Sequence, residues 1–170
     1  MSFGVRGEPG GILRRCAKVR TFTLKWEGWV REAGLPNRAG VYSVWAARIS
    51  RKPDGTEIVY HNDARLAYIG ESADMARRVA DHERQSCWNR QRLAGQALVF
   101  TYALLPTAEV DENWRRSVEN CLIVHHLPPS NEAGTEYNWT KSVVVQNTGT
   151  TFGRLKPQHK CKGTQDPQDP

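Results

Sequence analysis

The chain lacks several things that would narrow its class at once. No stretch approaches the ~20 consecutive apolar residues of a membrane-spanning helix, and the mean hydropathy is −0.62. An integral membrane protein is therefore excluded, and no membrane partner is expected. Residues 1–11 are polar and glycine-rich, without an apolar h-region, so no secretion signal is expected. The four cysteines, Cys16, Cys87, Cys121 and Cys161, never fall into C-x-x-C. That spacing argues against a structural zinc site, and free thiols in a cytoplasmic protein are the expectation. Internal repeats are absent as well.

What is present is modest in size and mildly basic. The 170 residues carry 24 Lys+Arg against 18 Asp+Glu, a net charge of +6. This balance permits a polyanionic partner without requiring one. One domain with short tails fits the length. Residues 1–38 read as an N-terminal arm with a possible short strand at 21–26 and a short helix ending near Gly34-Leu35-Pro36. Arg14, Arg15, Lys18 and Arg20 form a basic cluster in that arm, either a solvated face or a phosphate contact.

Residues 39–150 hold the regular patterning. Gly40–Ile49 is rich in β-branched and aromatic residues and predicts a strand. Lys52-Pro53-Asp54-Gly55 is a turn signal, and Glu57–Tyr60 predicts the returning strand of a hairpin. His61-Asn62-Asp63 is expected to break it before another short strand at 66–70. A helix capped by Ser72 or Asp74 is expected to run to about Leu93, followed by a strand at 97–105. Trp114, Val118, Cys121, Leu122 and His125 then recur as one buried face of a helix over about 108–126, stopped by Pro128-Pro129. Val143 and its neighbours suggest one more edge strand. Residues 151–170, above all from about Pro157, read as a disordered polar tail. The element order predicts an α/β (α+β sandwich) fold: a central, mainly antiparallel three-stranded sheet flanked by helices, with an inserted β-hairpin.

Several residues carry potential chemistry. Tyr42 and Tyr68 lie on two main strands, each close to a glycine, Gly40 and Gly70. Arg78 and His82 are four apart on a predicted helix and share a face. Glu119 sits on the second helix, and Asn131 follows its proline stop. Singly, each has an ordinary reading: half-core tyrosines, an Arg77-Arg78 surface pair, a surface histidine, a helix salt bridge from Arg115 to Glu119, and a turn asparagine. Together they supply a base, a cation for developing charge and a carboxylate for a divalent metal, the parts that phosphodiester hydrolysis needs. A tyrosine serves as base only if its pKa of about 10 is lowered by its neighbours.

In their order along the chain, Gly40-Val41-Tyr42 and Tyr68-Ile69-Gly70, then Arg78, His82, Glu119 and Asn131, resemble the signature of the GIY-YIG nucleases. The likeness spans roughly residues 39–131. Valine replaces isoleucine in the first motif, and the tyrosines stand further apart than in the shortest members. The resemblance implies a DNA endonuclease dependent on Mg²⁺ or Mn²⁺, of restriction, phage or mobile-element type, acting on double-stranded DNA. It implies Tyr42 as general base, with His82 hydrogen-bonded to it, and Tyr68 placing water or phosphate. Arg78 would stabilise the phosphate, Glu119 would hold the metal, and Asn131 would support the site. Gly40, Gly70 and Arg77 would help position substrate. Glu71, directly after the second motif, reads as a surface carboxylate or a water-mediated metal contact. A homodimer would serve double-strand cleavage. A catalytically inactive nucleic-acid-binding module and a structure-specific repair nuclease remain the alternatives.

Overall fold

The structure is a computed structural model that describes residues 19–131, 141–151 and 153–163. Arg14, Arg15 and Lys18 lie outside the described residues. Six strands form one sheet: β1 (Arg20–Val30), β2 (Gly40–Arg51), β3 (Glu57–Ser72), β4 (Gln96–Leu104), β5 (Val143–Gly149) and β6 (Gln158–Cys161). The spatial order is β3-β2-β4-β1-β5-β6. All pairings are antiparallel except β1 with β5. Three helices accompany the sheet: α1 (Met75–Ala80), α2 (Gln85–Arg90) and α3 (Glu112–His126). The class is mixed α+β, with six strands where the sequence suggested three. No helix among the described residues is long and apolar enough to cross a membrane.

The two faces of the sheet bury different sets of side chains because strand residues alternate. Val41 and Trp45 of β2, Ile69 of β3 and Val143 and Val145 of β5 join Val118, Cys121 and Leu122 of α3 in one core. Tyr42 and Val44 of β2, Tyr68 of β3 and Phe100 of β4 join Met75, Val79 and Trp88 from α1 and α2 in a second. A buried polar cluster sits within the first face. Ser43 Oγ and Thr101 Oγ1 share a hydrogen bond of 2.5 Å, and the Trp45 indole N–H donates to both oxygens. These groups satisfy one another, as burial requires.

Several expectations need correction. His61-Asn62-Asp63 does not break the strand: β3 runs without interruption, and the ladder with β2 shifts register there instead, between Ala46 and Arg48. His61 stacks on Trp29 at 4.6 Å and Asp63 pairs with Arg48 at 2.9 Å, so the bulge has partners that outweigh local propensity. The hairpin is thus the far end of β2–β3 rather than an insertion. The expected long helix after Asp74 is two short ones, interrupted at Asp81–Arg84. β5 is an interior strand, flanked by β1 and β6. β6 and the turns before it occupy part of the segment read as a disordered tail.

Cys121 and Cys161 are joined as a disulfide with Cα atoms 5.7 Å apart, which corrects the expectation of free thiols for this pair. Among the described residues Cys87 is free. Arg20 of the basic cluster is held by the fold, donating to the Glu109 carbonyl at 2.9 Å and lying 4.8 Å from the Phe22 ring.

Helix α3 begins on a side-chain cap. The Asp111 carboxylate accepts the Trp114 N–H at 2.9 Å, taking up one of the donors that a helix start leaves unpaired. Asp111→Ala is expected to cost about 1 kcal/mol, or a fall in melting temperature of about 2–4 °C in a protein of this size. Differential scanning calorimetry checks it, and an unchanged melting temperature would show that packing alone sets the helix start.

Candidate functional site

The site is built on an exposed sheet edge. β3 pairs with β2 alone, so residues 67, 69 and 71 turn their N–H and C=O groups away from the ladder. Each meets a group from the α3 region. The Ala67 carbonyl accepts the Ser130 N–H at 3.0 Å. The Asn131 carboxamide acts as a one-residue strand, accepting the Ile69 N–H at 2.9 Å and donating to the Ile69 carbonyl at 2.8 Å. The Glu71 backbone N–H lies towards the Glu119 carboxylate and favours its ionised form. Asn131 therefore holds the edge in the supporting role expected of it, and the α3 region is drawn against the edge by the same bonds.

An open depression of about 480 Å³ lies over this edge, and Tyr68, Arg78 and Glu119 all line it. Glu71, Glu112, Arg115 and Arg116 complete the charged part of its wall. Arg78 comes from α1 on one face of the sheet and Glu119 from α3 on the other. They meet because the edge strand has no neighbour to separate them.

The remaining predicted residues fall in different places. Tyr42 is fully buried, opposite Gly70 in the ladder, with its ring 6.1 Å from that of Tyr68. Its hydroxyl has no hydrogen-bond partner among the described residues. Gly70 makes this placement possible: a Cβ there would lie 2.5 Å from Tyr42 Cζ and 2.8 Å from Tyr68 Cε1. Gly40 serves packing away from the depression, since a Cβ there would come within 2.3 Å of the Ala103 carbonyl oxygen. Arg77 is exposed and does not line the depression.

His82 makes no hydrogen bond to Tyr42, which corrects the expectation. Its ring sits edge-on to Tyr68 at 5.1 Å and against Trp88 at 4.4 Å. Its Nδ1 accepts the Arg84 N–H at 3.0 Å, so the neutral ring carries its proton on the buried Nε2, which has no partner. Burial, and then Arg78, lower its pKa to about 4.

The electrostatics of the site contain residues that the sequence reading did not weigh. Glu83 grips Arg78 through two bonds of 2.9 Å, one to each terminal nitrogen. The Arg78 bond holds the Glu83 carboxyl down at about 2. Arg115, expected to pair with Glu119 along the helix, turns instead to Glu71 at 2.9 Å, and Arg116 stands 3.9 Å from the same carboxylate. Glu71 is thus ion-paired rather than an isolated surface acid. Glu119 has no ion-pair partner among the described residues. Desolvation, and then the charge of Glu71, push its pKa up to about 8. Both tyrosine hydroxyls are raised above their ordinary value, first by burial and then by neighbouring negative charge, with Arg78 pulling the other way. A lowered tyrosine pKa, needed for an unaided base, is not what this environment produces.

The donor chemistry suits a hard divalent cation at Glu119. A carboxylate without a cationic partner, beside a second carboxylate, gains most from one, and Mg²⁺ needs few protein ligands because it keeps several waters. Glu119 would hold such an ion, with the open side of the depression left for water and substrate oxygens.

Two outcomes follow from this geometry. Asn131→Ala removes both bonds to Ile69 and is expected to cost about 1–3 kcal/mol, with faster amide exchange at Ile69; unchanged exchange would mean that another group covers the edge. Glu119 contributes a pH dependence of known sign. Its folded pKa of about 8 lies above its ordinary 4.5, so the folded state holds the extra proton between those values. Stability from this group is present below pH 4.5 and falls as pH rises towards 8. Urea denaturation of wild type and Glu119→Gln should show the variant gaining relative stability between pH 5 and pH 8. A difference that does not change with pH would contradict the assignment. Comparison of the chain with family models, with curated proteins and with solved structures returned no match.

Proposed function

We propose that the protein is a divalent-metal-dependent endonuclease that hydrolyses phosphodiester bonds of double-stranded DNA. The observation that carries this reading is the shared depression: a guanidinium, a tyrosine and a carboxylate without a cationic partner, from three separate elements, line one open cleft on a chain with net charge +6. Arg78 offers a planar, two-pronged donor to a phosphate. It is held by Glu83, which is exposed, and an ion pair of that kind is weak enough for a phosphate to displace it. Mg²⁺ or Mn²⁺ at Glu119 would supply Lewis-acid stabilisation of charge on the leaving oxygen.

In this reading water attacks phosphorus in line with the departing 3′ oxygen. The P–O3′ bond breaks as the new P–O bond forms; the proton lost from water passes to solvent at the open side of the cleft, and the 3′ oxygen takes a proton from the same solvent. Tyr68 borders the cleft and positions the water. Tyr42, directly behind it, would take part in that proton transfer only as a phenolate, which its burial disfavours. Arg78 balances the charge that gathers on the phosphate. His82 supports the Tyr68 ring from behind by packing. The setting is cytoplasmic, and two copies would cut both strands.

A second reading keeps the cleft and drops the turnover. It is favoured by the complete burial of Tyr42 and by the raised tyrosine pKa values, and it makes the chain a DNA-binding module. Relaxation of supercoiled plasmid separates the two. Nicking in Mg²⁺ that stops in EDTA, and falls by about 10²–10³-fold in Arg78→Ala and Glu119→Ala, supports the nuclease. Salt-sensitive DNA binding without nicking supports the module. At limiting Mg²⁺ the nicking rate should rise with pH towards 8 as Glu119 ionises, and more Mg²⁺ should move that rise to lower pH. A Tyr42→Phe variant of normal rate would remove Tyr42 from proton transfer.

A further inference from the structure

Beside the cleft the surface dips again. A second open depression, of about 320 Å³, is lined by Asn37, Arg38, Pro106 and Thr107, and Ala73 borders both it and the cleft. It lies at the end of the sheet where Gly40 of β2 pairs with Ser72 of β3 on one side and with Leu104 of β4 on the other. Three connections converge there: the one entering β2, the one leaving β3 and the one from β4 to α3. Backbone bonds fasten them together. The Ala39 carbonyl accepts the Leu105 N–H at 3.0 Å, and the Arg38 carbonyl accepts the Met75 N–H at 3.2 Å. The two depressions differ in charge. The cleft sets Arg78, Arg115 and Arg116 against Glu71, Glu112 and Glu119, and each of its arginines has a carboxylate partner. Among the described residues no acidic side chain lines the second depression. The exposed Arg38 guanidinium there makes neither an ion pair nor a hydrogen bond with a described residue.

We propose that Arg38, with Asn37 and Thr107, holds a backbone phosphate of the DNA strand beside the phosphate at Arg78, so that the bound strand runs past Ser72 and Ala73 from the cleft into the second depression. A strand seated at Arg78 brings further phosphates on either side of the scissile one, and these need cations of their own. Arg38 is suited to the task because no carboxylate competes for it, and a guanidinium meets phosphate oxygens with two parallel donors. Asn37 and Thr107 are exposed and add a neutral amide and a hydroxyl, the other side-chain types that commonly bond phosphate. Contacts of this kind fix the position of a duplex without reading its sequence. The fold fixes the backbone on which Arg38 stands, through its carbonyl bond to the start of α1, the helix that also carries Arg78. The two arginines are therefore tied to one short segment, Asp74–Arg78, and keep their separation. The subsite rests on the nuclease reading for the identity of the bound polymer and deepens it.

The test uses the full chain and a short fluorescent DNA duplex, with Ca²⁺ in place of Mg²⁺, and follows binding by anisotropy over a range of KCl concentrations. Arg38→Gln should lower the slope of log affinity against log salt by about 1, so that its deficit is largest at low salt. Arg38→Lys, which keeps the charge, should keep the slope. Arg51→Gln serves as the control, since Arg51 pairs with Glu57 at 3.2 Å near the hairpin turn, and should match wild type. An unchanged melting temperature shows that Arg38→Gln is folded. In plasmid nicking with Mg²⁺, Arg38→Gln should slow the reaction more at limiting than at saturating DNA. A wild-type slope in Arg38→Gln, or an equal fall in Arg51→Gln, overturns the subsite, and nicking by wild type then leaves the nuclease reading standing. A lowered slope in Arg38→Gln without nicking by wild type keeps the subsite and overturns the nuclease reading in favour of the binding module. A wild-type chain that does not bind the duplex overturns both.

Discussion

Everything at the cleft depends on the free edge of β3. A strand with one neighbour leaves alternate N–H and C=O groups without a ladder partner, and here groups of residues 67 and 69 are taken by Ser130 and Asn131, with Glu119 beside the N–H of residue 71. Covering this edge is first a structural necessity, since an open strand edge invites pairing with another chain. The cover has a chemical consequence. It carries a carboxylate and a carboxamide to the place where Tyr68 and Arg78 emerge from the opposite face. Site and scaffold are therefore the same set of hydrogen bonds.

The charges around the edge sort into two neutralised groups and one unbalanced acid. Arg78 is satisfied by Glu83, and Glu71 and Glu112 together by Arg115 and Arg116. Because Arg115 is turned to Glu71, and bonded through Nη1 to the Val110 carbonyl at 2.9 Å, it is unavailable to Glu119. Burial, and then the charge of Glu71, raise the Glu119 pKa, and the pull of Arg116 and Arg78 does not offset them. A second charge-sensitive feature is the tyrosine pair. Gly70 lets the two rings stack into the sheet face, and the same burial that packs them keeps their hydroxyls neutral.

The readable parts of the sequence were those governed by local pattern. Gly40–Ile49 and 97–105 had strand composition and are strands; the apolar stripe from Trp114 to His125 is the helix face turned towards the sheet. What could not be read depended on partners distant in the chain. His61-Asn62-Asp63 has breaker composition, yet Trp29 and Arg48 hold it in an extended bulge. The helix after Asp74 stops early because His82 turns inward to pack between Tyr68 and Trp88. β5 lies beside β1 through a parallel pairing and β6 is added antiparallel to β5, and no local signal announces either partner. The positions of Tyr68, Arg78 and Glu119 were legible through the ordered motifs, whereas the grip of Glu83 on Arg78 crosses a helix break that periodicity does not foresee. Cys121 and Cys161 are separated by 40 residues, so their meeting was equally invisible.

Helix α3 presents two unlike faces to two unlike tasks. Glu112, Arg115, Arg116 and Glu119 look onto the cleft, while Val118, Cys121, Leu122 and His125 look towards the sheet and β6. The position of Glu119 along the edge is set at one end by the Asp111 cap and the Arg115–Glu71 pair, and at the other by the cysteine link to β6. A helix fixed at both ends cannot slide by a turn, and a shift of even part of a turn would carry Glu119 away from the cleft it lines. The disulfide at Cys121 therefore has a geometric role: it holds a short strand remote from the cleft against the helix that supplies the cleft's carboxylate.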